Sequence, residues 1–194
     1  MQAGTLFALC RESGLRADLR ARLLGELADG TLRVRTDPAA SPTGFPFKVA
    51  RLPGTLSDAG RYALRPRLCD LGHLRVPYAR PNGAVGYRCP GEPVHTYLRK
   101  GGDAADTADR VCLCNALLAD VGLGQTRRDS GYTEDPLVTL GSGLDGAAAM
   151  LRRYPAGWSA AQAVAWLLAD PAADPDLSPA AESPAGAASV PSAA

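Results

Sequence analysis

Apolar residues recur at helical spacing in two well-marked places. Leu15, Leu19, Leu23, Leu24 and Leu27 fall on one helix face, with Ser13 where an N-cap belongs and Gly30 where a helix stops. Val111, Cys114, Leu117, Leu118 and Val121 repeat the pattern, closed by Gly122. Two further helices are predicted. Asp145 would cap the segment from Ala147 to Arg153, and Ser159 with Gln162 fits a capping box ahead of Val164, Leu167 and Leu168. Strand signals are shorter. Gly4 to Cys10 is apolar with Thr and Phe, Thr31 to Thr36 alternates, and Val85 to Cys89 follows a Pro81-Asn82-Gly83 turn. The strand expected at residue 4 has nothing before it to pair with.

Between these elements the pattern fails. From Asp37 to Gly102 the chain is rich in Pro and Gly and shows little periodicity. A structureless span of that length inside a compact domain needs something to pin it, either a metal or docking against another domain. From Pro171 onwards, 18 of the last 24 residues are Ala, Pro or Ser. Such a tail buries too little apolar area to offset its ordering entropy, so disorder is expected there. There is no internal repeat.

Composition narrows the class. With 194 residues the chain fits one domain with a tail. It is too short for a complete (β/α)₈ barrel, which takes roughly 200 residues at the least. Aromatics are only 6%, so the 46% hydrophobic content, much of it Ala, makes a thin core. A net charge of +1 argues against a nucleic-acid binder that works by neutralising phosphates. Lys48 and Lys100 are the only lysines among 21 basic residues, a bias that reads as genome composition. No run approaches the roughly 18 apolar residues of a membrane span. Met1 to Cys10 lacks the basic region and the small residue before Cys that a lipoprotein signal needs. The expected compartment is the cytoplasm, where thiols stay reduced, so five cysteines point to metal, catalysis or plain burial.

Cys69, Cys89, Cys112 and Cys114 lie in or beside the pattern-poor region. Four thiolates around Zn²⁺ make a closed structural site that contributes folding energy directly, which would hold a Pro/Gly-rich segment in one shape. The spacing is looser than a paired C-x₂-C motif. Residues two apart in a helix point about 200° from each other, so Cys112 and Cys114 could share an ion only if the helix begins near Asn115. Free buried thiols acting as small hydrophobes, and an iron–sulfur cluster, stand as the other readings. His73 and His95 are close enough in sequence for a mixed site, but neither has a nucleophile at a diagnostic spacing. Phe45, Phe47, Trp158 and Trp166 read as core or interface residues. Gly101-Gly102 and Gly141-Ser142-Gly143 read as loops, and Gly4-Thr5 at a strand end is a weak phosphate cue.

Several stretches together resemble a known family. Gly4-Thr5-x-Phe7 resembles the last barrel strand of the nitronate monooxygenase (2-nitropropane-dioxygenase-like) family. Thr43 to Val49, Leu68 to Gly72, Tyr87 to Pro90, Cys112 to Leu117 and Leu137 to Gly141 resemble the C-terminal region of a long-chain branch of it. The likeness runs from about residue 3 to 168, and Cys112 to Leu117 is its most specific part. The resemblance implies an FMN-dependent (β/α)₈ oxidoreductase that oxidises alkyl nitronates with O₂ to a carbonyl compound and nitrite. Its relatives include flavin-dependent enoyl reductases.

By that match Gly4 and Thr5 would hold the FMN phosphate, where barrel phosphate sites lie. The expected fold is therefore mainly α with irregular segments. Residues 1–30 would be a barrel's last strand and helix, 31–168 a cap region, and 169–194 the tail. The earlier strands and the family's catalytic His would lie upstream. No catalytic role passes to His73 or His95, and the chain alone is expected to be inactive. The expected partners are a small-molecule substrate and the missing barrel portion, with no nucleic acid and no membrane. The rival expectations are a stand-alone Cys₄ metal module that binds a protein and catalyses nothing, and part of a flavin-dependent enoyl reductase.

Overall fold

The computed structural model describes residues 3–169. Among these are seven α-helices and two separate two-stranded antiparallel sheets, an α+β arrangement. Helices α1 (Gly4–Ala8) and α2 (Ala17–Ala28) come first. Strands β1 (Val34–Asp37) and β2 (Phe47–Ala50) then pair, followed by α3 (Ala59–Leu64). The hairpin of β3 (Val76–Ala79) and β4 (Val85–Arg88) leads to α4 (Val94–Arg99) and a 3₁₀ turn at Ala104–Thr107. Helices α5 (Leu113–Asp120), α6 (Asp145–Arg153) and α7 (Ala160–Leu168) complete the order.

The structure corrects the expected barrel remnant. Gly4–Ala8 is a helix, and no sheet closes among the described residues. A strand needs a neighbour to satisfy its backbone, whereas a helix satisfies its own. With no strand to pair beside it, this segment coils and turns Leu6, Leu9 and Cys10 into the core. The expected tail, apart from Ala169, lies outside the described residues.

Two hydrophobic clusters form. The first gathers Leu19, Leu23 and Leu27 of α2 with Met150, Trp158 and Ala163. The Trp158 indole N–H is satisfied by the Leu6 carbonyl at 2.8 Å, which fixes α1 on α7's approach. The capping box at Ser159 and Gln162 forms as expected. The second cluster holds Val49, Leu56, Val111, Leu113, Ala116 and Leu137. Residues 137–140 run beside β2 through an antiparallel bridge between Val49 and Thr139. Along this stretch, side chains alternate between the clusters: Leu137 enters the second, and Val138 and Leu140 enter the first.

The pattern-poor span 37–102 turns out to contain five short elements of four to six residues. Gly83, at φ 79°, makes the β3–β4 turn, and the Asn82 side chain accepts the Ala84 N–H across it. No described helix is long and apolar enough to cross a membrane.

Candidate metal centre

The cysteines are brought together by three elements. Cys69 sits in the loop leading to β3, Cys89 directly follows β4, and Cys112 and Cys114 open α5. All are reduced, and only Cys69 is half-buried; the other three are buried. The thiols form one chain of contacts: Cys69 with both Cys89 and Cys112, and Cys112 with Cys114.

The helix starts two residues earlier than the expected geometry required. The objection to a shared site falls for a different reason. Cys112 is the N-cap, with non-helical φ −79° and ψ 87°, so the two side chains are not bound to the 200° separation of helix-interior residues.

Backbone amides are aimed at the sulfurs. Gly91 donates to Cys89, Asn115 to Cys112, and His73 and Leu74 to Cys114. Arg75 Nη2 lies 3.9 Å from the Cys69 Sγ. N–H donors favour thiolates and tune a metal bound by them. The thiols divide accordingly. Hydrogen bonds from Cys112 and Cys89, with help from Arg75, hold Cys69 down to about 2. The Cys112 thiol holds Cys114 down to about 6. Cys89 is pushed up by its donation to Cys69 and by burial, and Cys112 by its bonds to Cys114 and Cys69 and by burial. A divalent cation at the centre would favour the thiolate form of all four.

The four thiols act on one another without standing as a finished polyhedron. Among the described residues, no group of three or more His, Cys, Asp or Glu already has a metal-holding arrangement. Their mutual contacts and their amide donors nevertheless carry the chemistry of a tetrathiolate centre, which tetrahedral Zn²⁺ suits at about 2.3 Å per bond.

A buried polar layer backs the thiols. Asn115, fully buried beside Cys114, donates from Nδ2 to Asp70 Oδ2 at 2.8 Å, and Asp70 pairs with Arg127. Behind them Arg65 grips Glu134 with both nitrogens, at 2.5 and 3.0 Å, in a pair almost sealed from water. The sequence reading missed Arg65, Arg75, Arg127 and Glu134. Asp70 and Asn115 lay inside the noted stretches, each next to a cysteine, and that adjacency was the available signal.

The remaining candidates lie elsewhere. His73 is exposed, and only its backbone meets the cluster. His95 is exposed on α4, with its ring 3.1 Å from the Thr96 hydroxyl. Gly4 opens α1, and the Thr5 hydroxyl accepts the Gly141 N–H at 2.8 Å. An added Cβ at Gly141 would meet that oxygen at 2.9 Å, so Thr5 serves as a tie between α1 and the 137–141 segment. The strand end that would present Gly4 and Thr5 to an FMN phosphate is absent from this helix, and these two residues as placed do not fit that group. Phe45 is largely exposed and packs edge-on against Phe47 at 5.1 Å. Trp166 borders the first cluster. Lys48 reaches the Ser142 hydroxyl at 2.7 Å.

No protein-family model, no curated protein and no solved structure matches this chain.

Proposed function

We propose that this chain is a tetrathiolate metal module. Cys69, Cys89, Cys112 and Cys114 hold one Zn²⁺ in a structural role, and the module serves a nitronate-monooxygenase-like flavin oxidoreductase without performing its chemistry. The convergence of the four thiols, which act on one another and three of which are fed by backbone amides, carries the reading. The bound metal would tie the ends of the β3–β4 hairpin to the first turn of α5 and so fix the Pro/Gly-rich span. Charge fits as well: Arg75 and Arg65 lie close enough to offset part of the double negative charge of a zinc tetrathiolate.

The family context rests on the resemblance. Three of its stretches, around Cys69, Cys89 and Cys112 to Leu117, are the ones that meet at this centre. FMN and the oxidation of nitronates would belong to that oxidoreductase and not to these residues.

The test is elemental analysis and absorbance of the purified chain. One equivalent of zinc and no flavin are expected. Cys112→Ser should lose the metal, and a chelator should strip it with loss of β3–β4 amide protection. Zinc below a tenth of an equivalent in a folded chain would remove the metal reading. Stoichiometric FMN on this chain alone would remove the division of labour.

A further inference from the structure

Net charge conceals a segregation. Residues 65–101 carry seven arginine or lysine side chains against two carboxylates, Asp70 and Glu92, a local +5 in a chain whose total is +1. Part of this charge lines a groove of about 650 Å³ between the β3–β4 hairpin and the end of α4. Tyr78, Arg80, Arg88, Leu98, Arg99 and Lys100 line it, and no carboxylate does.

The groove is built rather than incidental. Arg88 is fixed by its bond to the Lys100 carbonyl at 3.1 Å and by lying over the Tyr78 and Tyr97 rings, 5.0 and 5.3 Å from their centroids. Tyr78 and Arg80 lie across Gly86. A Cβ there would come within 2.5 Å of the ring and 2.8 Å of the Arg80 Nε, so only glycine admits this arrangement. Lys100 is neutralised by buried Glu92 at 2.7 Å. Arg80 and Arg99 are exposed, and their guanidinium groups have no hydrogen-bond or ion-pair partner among the described residues. Three arginine charges therefore face one groove uncompensated.

We propose that this groove binds a compact phosphate anion of several charges, of the pyrophosphate or polyphosphate type, with Arg80, Arg88 and Arg99 as its ligands. Guanidinium forks match phosphate oxygens in pairs. A nucleic-acid strand would need free aromatic faces for its bases, and the Tyr78 ring is already engaged by Arg88 and Gly86. A phosphate group free in solution and one carried on a small molecule share this chemistry.

The site stands apart from the metal centre, and the test keeps the two separable. Calorimetric titration of the purified chain with sodium tripolyphosphate at low ionic strength should show saturable 1:1 binding that weakens with salt. Arg80→Gln and Arg99→Gln should each weaken it about tenfold or more. Arg51→Gln, on an exposed side chain outside the groove, should leave it unchanged. Circular dichroism and zinc content are recorded on every variant. A folded native chain that binds tripolyphosphate but carries no zinc counts against the metal reading alone. Absent binding, equal weakening by Arg51→Gln, or tighter binding of a dT12 oligonucleotide or an octaglutamate peptide would each overturn the phosphate site. A nucleotide competing better than tripolyphosphate would identify the carried form.

Discussion

The two halves of this molecule are held together by different forces. Around α2, α6 and α7, helices of 9 to 12 residues bury leucines, Met150 and Trp158 on matched faces. Around β3–β4 and the start of α5, no element exceeds eight residues, and polar groups take over. Arg67 alone clamps three carbonyls, of Glu92, Thr107 and Pro90, at 2.5–3.2 Å. Arg65 with Glu134, Asp70 with Asn115, and the four thiols complete the frame. Apolar burial needs area, and short elements offer little. Directional bonds and metal coordination can order a segment that area cannot.

The largest expected difference lies in the buried ion pair. Glu134→Ala leaves Arg65 charged and unpaired at 2% side-chain exposure, which should cost about 3–5 kcal/mol. Denaturant melts give the total. Amide exchange should place the loss around residues 65–134 and spare α2. The double variant Arg65→Met with Glu134→Leu should recover most of the stability, because the penalty arises from the stranded charge. If exchange rises equally in α2, the two halves are one cooperative unit and the contrast drawn here fails.

Met150→Ala is the mirror experiment in the apolar half. Met150 is fully buried in the first cluster, and its truncation should cost about 2–5 kcal/mol through lost transfer energy and a residual cavity. Here amides of α2 and α6 should open first, while β3–β4 keeps its protection. Retained zinc in this variant, beside lost zinc in Cys112→Ser, would sharpen the comparison further.

The same contrast decides what the sequence made legible. Where apolar burial dominates, periodicity revealed it. The α2 leucines and the Ser159–Gln162 cap were readable in advance, whereas α5 was placed with the wrong face: it buries Leu113, Cys114, Ala116 and Ala119, while Leu117 and Leu118 are half-buried and Val121 is exposed. Gly4–Ala8 misled because Gly-Thr-Leu-Phe-Ala has strand-like composition, and composition does not say whether a pairing partner exists. The hairpin and α4 were half-hidden, since four to six residues carry too few turns or alternations to show a period. Of the candidate centre, the four cysteines stood out as residue types. Their convergence depends on contacts of Cys69 with positions 20 and 43 residues away, and no spacing rule encodes those. The basic groove was invisible to net charge because the acids balancing it lie elsewhere in the chain.

The smallest effect tests the joint between the halves. Asp120 ends α5, and its carbonyl accepts the Arg16 N–H at the entry to α2, so it links the thiol-bearing helix to the apolar core. Its carboxyl is nearly buried, and burial raises its pKa to about 7 against a modest opposing pull from Arg16 and a hydrogen bond from the Leu137 amide. One carboxylate oxygen has no partner. The ordinary value is 3.8, so between roughly pH 4 and 7 the folded chain binds the proton and the unfolded chain does not. Stability is therefore fully present below about pH 4 and falls as pH rises through 7, by something on the order of 2–4 kcal/mol. Asp120→Asn keeps the shape and removes the titration. Melts of the two proteins from pH 4.5 to 8 should diverge in slope, with the variant flat where the native chain declines. Parallel curves would mean that the charge is already matched at this joint, and that the two halves meet without an electrostatic cost.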